Sequence, residues 1–222
     1  MRALIVADIE GVHGVYNLTD TKRNAELLTK EVETCILALH NCNITRITVC
    51  DSHNKGNSIC LDTLSKYNIE LLSQLHSLAE LEHEDYDFAI LIGFHGMNGS
   101  DGILAHTLRP DIRGVRLANG VEIGEVELIC RWLGHLNIPV ILVVGDVEAT
   151  REGNFFDSYR HVCSGGEKWN KIIFERIQIQ LVHLQESGIK VVKCEKIVLE
   201  FDVDLGKHEL FCNRRGFASY QS

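Results

Sequence analysis

Two carboxylates, Asp8 and Glu10, follow the continuous apolar run Leu4-Ile5-Val6-Ala7 near the start of the chain. In extended backbone they point to the same side, because side chains alternate with a period of two. Acids converging at the end of a buried strand repel each other unless a proton or a cation lies between them. Gly11 and Gly14 then let the backbone turn away. Three more groups able to hold a metal stand after later apolar runs or at a helix start: His53, His95 and Glu125. Three carboxylates and two imidazoles exceed the ligand set of one tetrahedral zinc and suit two ions that share a bridging carboxylate. Such a mixed set serves zinc, manganese, cobalt or iron(II) alike. A carboxylate bridge holds two ions roughly 3.5–4 Å apart, the spacing that activates one water between two Lewis acids.

These side chains converge only if the elements before them form a sheet. Thr19, Asp20 and Thr21 offer an N-cap, and residues 22–40 carry Leu27, Leu28, Val32, Ile36 and Leu39 at helical spacing. Residues 44–50 are rich in β-branched side chains and read as a second strand, with the loop Asp51-Ser52-His53 after it. A short helix is expected around Leu61 to Leu64 and an extended piece near Ile69 to Leu71. Residues 86–93 form a third strand, followed by Phe94-His95-Gly96. Residues 103–108 read as a short strand carrying His106, and residues 115–123 as a hairpin around Asn119-Gly120. Gly124-Glu125 opens a helix with Val126, Ile129, Leu133 and Leu136 on one face, and residues 139–145 are a further buried strand.

Alternating strands and helices imply an α/β fold: a three-layer, mostly parallel sheet with helices on both faces. In such sheets ligands bind outside the carboxyl ends of the strands, where Asp8, Glu10, His53 and His95 fall. Beyond Gly153 the pattern changes, with a helix over residues 169–185 and strands over 196–204 and 209–212. The expected organisation is a metal-binding α/β core of residues 1–95 and 121–153. A smaller α+β subdomain, residues 96–120 and 154–222, adds to the active-site chamber.

The 222 residues suffice for one large core, and the formal charge of −9 argues against nucleic acid or an anionic membrane as partner. No apolar stretch approaches the ~20 residues of a membrane span, and Asp8 and Glu10 interrupt any signal-peptide pattern. The expectation is a soluble cytoplasmic protein. The eight cysteines form no Cys-x-x-Cys pair and read as free thiols in a reducing compartment. His13 reads as a polar loop residue. His40, His76, His83, His135, His161, His183 and His208 read as surface or packing residues.

Asp8-Ile9-Glu10-Gly11, Asp51-Ser52-His53, Gly93-Phe94-His95, His106 and Gly124-Glu125 together resemble the zinc-dependent D-aminopeptidase family. The resemblance runs in order from Met1 to about Asp146 and fades after about Gly153, where a last helical segment of longer members is expected to be missing. It implies a dinuclear zinc site, two ions per chain, with Asp8, Glu10, His53, His95 and Glu125 as ligands and Asp8 as the bridge. It also implies a catalytic histidine at His106, a small peptide or amide substrate, and a ring-shaped homo-oligomer.

The expected reaction is therefore hydrolysis of an amide bond, with His106 as general base or acid, or as a contributor to oxyanion stabilisation. The shortened tail motivates one variant, an enzyme that forms or trims an amide in a biosynthetic pathway. A different class is a non-catalytic, metal-stabilised binding protein, which predicts binding without turnover. A two-metal phosphoesterase is disfavoured, because only Lys55 lies near a ligand motif and phosphate sites use Arg, Lys or a glycine-rich helix start.

Overall fold

The computed structural model describes residues 1–54, 56–73, 85–109, 111–153, 160–163, 169–186, 191, 196–201, 207–213 and 216–219. The apolar run at the start is β1 (Arg2–Ala7), followed by α1 (Thr21–Asn41), β2 (Arg46–Asp51), α2 (Leu61–Leu64), β3 (Glu70–Ser73) and β4 (Phe88–Phe94). Then come the hairpin strands β5 (Ile112–Leu117) and β6 (Glu122–Ile123), α3 (Glu125–His135), β7 (Val140–Gly145) and α4 (Val147–Gly153). The tail contributes β8 (Arg160–Cys163), α5 (Trp169–Glu186), β9 (Lys196–Phe201), β10 (Lys207–Asn213) and β11 (Gly216–Ser219).

The main sheet runs β3-β2-β1-β4-β7-β8, and every neighbouring pair is parallel. The α/β architecture expected from the sequence is the one observed. Side chains of β1 divide by parity: Ala3, Ile5 and Ala7 pack with Leu28, Val32 and Ile36 of α1 and Ile173 and Ile177 of α5. Leu4 and Val6 pack on the other face with Val126, Cys130 and Leu133 of α3. Both faces of β1 are thus dry, which is why its sequence is a continuous apolar run rather than an alternating one.

The chain builds outward from β1 to β3, then returns to place β4 on the other side of β1. That reversal is a topological switch point, where open α/β sheets leave a crevice at the carboxyl ends of the strands. The crevice is closely packed at its floor. Gly93 adopts a φ of +76°, and a Cβ there would run into the Asp8 carbonyl. A Cβ on Gly11 would overlap the Phe94 carbonyl. Only glycine lets the end of β4 and the turn after β1 approach this closely beside their functional side chains.

The second sheet is antiparallel, in the order β11-β10-β9-β5-β6. Its β5–β6 hairpin turns at Asn119-Gly120, with Gly120 at φ +84° as the sequence required. Several details differ from the sequence expectation, which also lacks strand β8 and helix α4. Strand β2 begins at Arg46, not Ile44, because the Ile44 N–H donates to the Leu39 carbonyl and belongs to the stop of α1. Strand β11 was not expected. Residues 103–108 are not a strand but a series of turns, since Leu108 sits at φ +61° and the Arg109 N–H donates back to the Thr107 carbonyl at 2.7 Å. A left-handed leucine cannot continue a β ladder.

Among the described residues Cys35, Cys42, Cys50, Cys60 and Cys130 are free thiols, as expected. No helix among those residues is long and apolar enough to cross a membrane. His76, His83 and Lys55 lie outside the described residues.

Candidate metal centre at the switch point

Each strand end delivers its donor by local backbone chemistry. Asp8 continues β1 by donating its N–H to the Ile92 carbonyl, and Gly11 donates to Gly93, so the turn carrying Glu10 is tied to β4. After β2, Ser52 donates both its N–H and its hydroxyl to the Ala7 carbonyl. Asp51 accepts the His53 and Ser58 N–H groups, which makes it the post that holds the His53 loop. His95 leaves β4 directly, with Nδ1 donating to the Gly96 carbonyl at 2.9 Å. Glu125 is the first residue of α3, after the N-cap Gly124.

The five residues singled out from the sequence meet in two groups. His53 Nδ1 lies 3.1 Å from Glu10 Oε2 and 3.3 Å from Asp8 Oδ1. His95 Nε2 lies 3.5 Å from the other Asp8 oxygen, Oδ2, and 3.4 Å from Glu125 Oε1. His106 Nε2 is 3.9 Å from the same Glu125 oxygen, and its ring stacks on that of His95 at 4.2 Å and 6°. Within each of the trios Asp8, Glu10, His53 and His95, His106, Glu125, one donor atom per residue lies within 4.8 Å of the others. Asp8 faces both groups, one oxygen to each.

The electrostatics of these groups are those of a site in which protons compete with cations. Burial first, then the Glu10 carboxylate, pushes Asp8 up to about 7. For Glu10 burial acts upward, but hydrogen bonds from His53 and Asp8 outweigh it and hold the group down at about 2. Burial opposes charge on both imidazoles, yet Asp8 and Glu10 raise His53 to about 10, and Glu125 with Asp8 raises His95 to about 10. His95 is 1% exposed, and its Nε2 is buried without a hydrogen-bond partner. With Nδ1–H committed to Gly96, Nε2 faces two carboxylate oxygens, and it offers them a proton or, once that proton is lost, offers a cation its lone pair. A divalent cation satisfies all three groups at once, so the donor set fits the mixed carboxylate–imidazole chemistry of zinc and its neighbours.

Two contributors have no signature in the sequence. Leu108 donates its backbone N–H to Glu125 Oε1 at 2.7 Å from the left-handed turn described above, and that turn also follows His106. Glu152 on α4 is raised to about 8 by burial, and neither of its oxygens has a hydrogen-bond partner. Its carboxyl lies against Gly124, beside the start of α3. His13 is exposed, and His40 packs edge-on against Tyr67 at 5.9 Å.

Fold and donors together define an α/β protein that gathers ligands suited to divalent cations at the switch point of its sheet. The chain belongs to the D-aminopeptidase family, peptidase family M55, whose model matches residues 1–163. The resemblance read from the sequence motifs is confirmed. A curated relative, the D-aminopeptidase of Bacillus subtilis (strain 168), is 29% identical over 163 residues, which cover 68% of this chain and 58% of the relative. The match therefore spans less than two thirds of that protein's length. Among solved structures, the chain is similar to DppA, a zinc-dependent D-aminopeptidase of Bacillus subtilis described as a self-compartmentalizing protease. That similarity has a TM-score of 0.77 at 21% identity, covering 95% of this chain and 82% of DppA, and it bears on the fold.

Proposed function

We propose that the chain is a zinc-dependent aminopeptidase that hydrolyses the amide bond of small peptides or amides, as its family membership suggests. The observation that carries this reading is Asp8, whose two oxygens face two separate imidazole–carboxylate groups, with the unpartnered His95 Nε2 in one of them. In this reading Asp8, Glu10 and His53 would hold one ion and Asp8, His95 and Glu125 a second, with Asp8 common to both sets. Zinc bound there supplies a Lewis acid for the substrate carbonyl and brings the pKa of water toward neutrality.

The chain's own residues move the protons. His106 Nδ1 donates to the Leu104 carbonyl at 2.9 Å, which assigns the hydrogen to Nδ1 and leaves the Nε2 lone pair directed toward Glu125. At 28% side-chain exposure His106 is open to a substrate, whereas the stacked His95 is shut off at 1%. His106 Nε2 takes a proton from the attacking water as the carbon–oxygen bond forms. It then returns the proton to the departing amine as the carbon–nitrogen bond breaks. The stack on His95 and the Leu104 hydrogen bond fix the ring for both transfers. The reading extends to a homo-oligomer, since the DppA relative is self-compartmentalizing.

Hydrolysis of D-alanyl and L-alanyl amides by the zinc-loaded protein, beside its His106→Ala variant, tests this. The expected result is turnover by the parent chain, and a variant that keeps its metal while kcat falls by about 10²–10⁴-fold. Loss of metal from the variant would make His106 a ligand instead, and full activity would remove it from the mechanism.

A further inference from the structure

A cavity of about 190 Å³ opens beside the metal centre, with Glu10 in its wall. Its other walls are the loop after β1, through Val12, Val15 and Tyr16, together with Ile103 from the segment that carries His106 and Val147 at the start of α4. Val12 and Val15 are buried at 3% exposure, whereas Tyr16, Ile103 and Val147 are 59%, 67% and 51% exposed around one opening. Three large apolar side chains thus line the way into a cavity whose inner wall is apolar as well.

We propose that this cavity is the specificity pocket of the site and receives an apolar side chain of the amide substrate. The inference rests on the aminopeptidase reading and deepens it by naming the class of residue accepted. Three observations select this occupant. Glu10 is both a wall of the pocket and a member of one donor trio, so a side chain seated there lies next to the centre. The volume lies below the roughly 300–1,000 Å³ of pockets for drug-sized ligands, and it suits one side chain rather than a folded partner. The two carboxylates of the wall are already engaged: Glu10 by His53, and Asp146 by the Ala149 and Gly96 N–H groups. Between Val12, Val15 and Ile103 a polar side chain loses its water, while an apolar one gains from burial; the remaining polar side chain of the wall, His13, is exposed.

The test uses leucyl and alanyl p-nitroanilides of both chiralities on the zinc-loaded chain and its Ile103→Asp and Val147→Asp variants. Both positions are exposed, so the fold tolerates the change. The leucyl-to-alanyl ratio of kcat/KM should fall by about tenfold or more in each variant, because a few methylene groups set such ratios. Calorimetry with norleucinamide and glycinamide gives a second readout that needs no turnover, with norleucinamide alone losing affinity in the variants. An unchanged ratio with intact hydrolysis overturns the pocket and leaves the aminopeptidase reading standing. So does an altered oligomeric state with the ratio unchanged, which makes the apolar mouth a subunit contact. If no anilide is cleaved, the aminopeptidase reading fails, and the calorimetry then decides the pocket alone. Norleucinamide binding weakened by Ile103→Asp supports it, and no preference over glycinamide overturns it.

Discussion

Asp8 carries the most of any single side chain, because its two oxygens face different groups and its pKa is raised, first by burial and then by Glu10, while the carboxylates in turn raise His53 and His95. The sign of the resulting pH dependence follows directly. With His53 and His95 raised to about 10 and Asp8 to about 7, both imidazoles and part of the Asp8 population hold protons at neutral pH. A metal needs those lone pairs, so binding must expel protons, and acid favours the protons while base favours the metal. Zinc affinity should accordingly rise between about pH 6 and 8, with proton release visible when calorimetry is repeated in buffers of different ionisation enthalpy. An affinity independent of pH over that range would mean the imidazoles do not bind the ion. The sequence made these residues legible because each follows an apolar run, and the strand period fixes which side its neighbours take. It could not reveal Leu108, which acts through a backbone N–H whose direction depends on a φ of +61°. Nor could it reveal Glu152, whose burial comes from the packing of α4 beside α3.

At the scale of elements, the centre depends on how closely β1 and β4 approach. Gly93 combines a positive φ with backbone of Asp8 where a Cβ would lie, so no side-chain rotation relieves a substitution there. Gly93→Ala should destabilise the fold by about 2 kcal/mol or more and lower Tm by roughly 4–8 °C. It should also weaken metal binding, because it drives Asp8 and His95 apart. A variant with unchanged Tm and metal content would show that the switch point tolerates a wider floor. The segment after β4 shows the limit of pattern reading. Residues 103–108 have the composition of a strand, but Thr107 accepts the Asn98 N–H through its hydroxyl, and the Leu108 turn bends the chain back toward Glu125. Those are side-chain and turn bonds between residues 9 and 17 apart in sequence, which hydrophobic periodicity does not encode.

For the molecule as a whole, the parallel sheet was readable because every central strand is buried on both faces and announces itself as an apolar run. The order β3-β2-β1-β4-β7-β8 was not, since order depends on which crossovers pack, and the run of strands and helices is compatible with several. The fold also predicts that the ligands stabilise the whole chain. Metal that binds the native state and not the unfolded one adds stability by mass action. Chelation should therefore lower Tm, and restoring zinc should raise it again, by about 2–4 °C for each 1 kcal/mol of linkage. A chelator-insensitive Tm would indicate that the carboxylates and imidazoles hold the crevice together with protons alone.

The central claim is a paired centre shared through Asp8, and elemental analysis of the purified chain tests it most directly, beside its Asp8→Ala and His95→Ala variants. About two zinc-like ions per chain are expected, with both lost in Asp8→Ala and one lost in His95→Ala. One ion or none after incubation with zinc, manganese or cobalt, or two retained in Asp8→Ala, would contradict it.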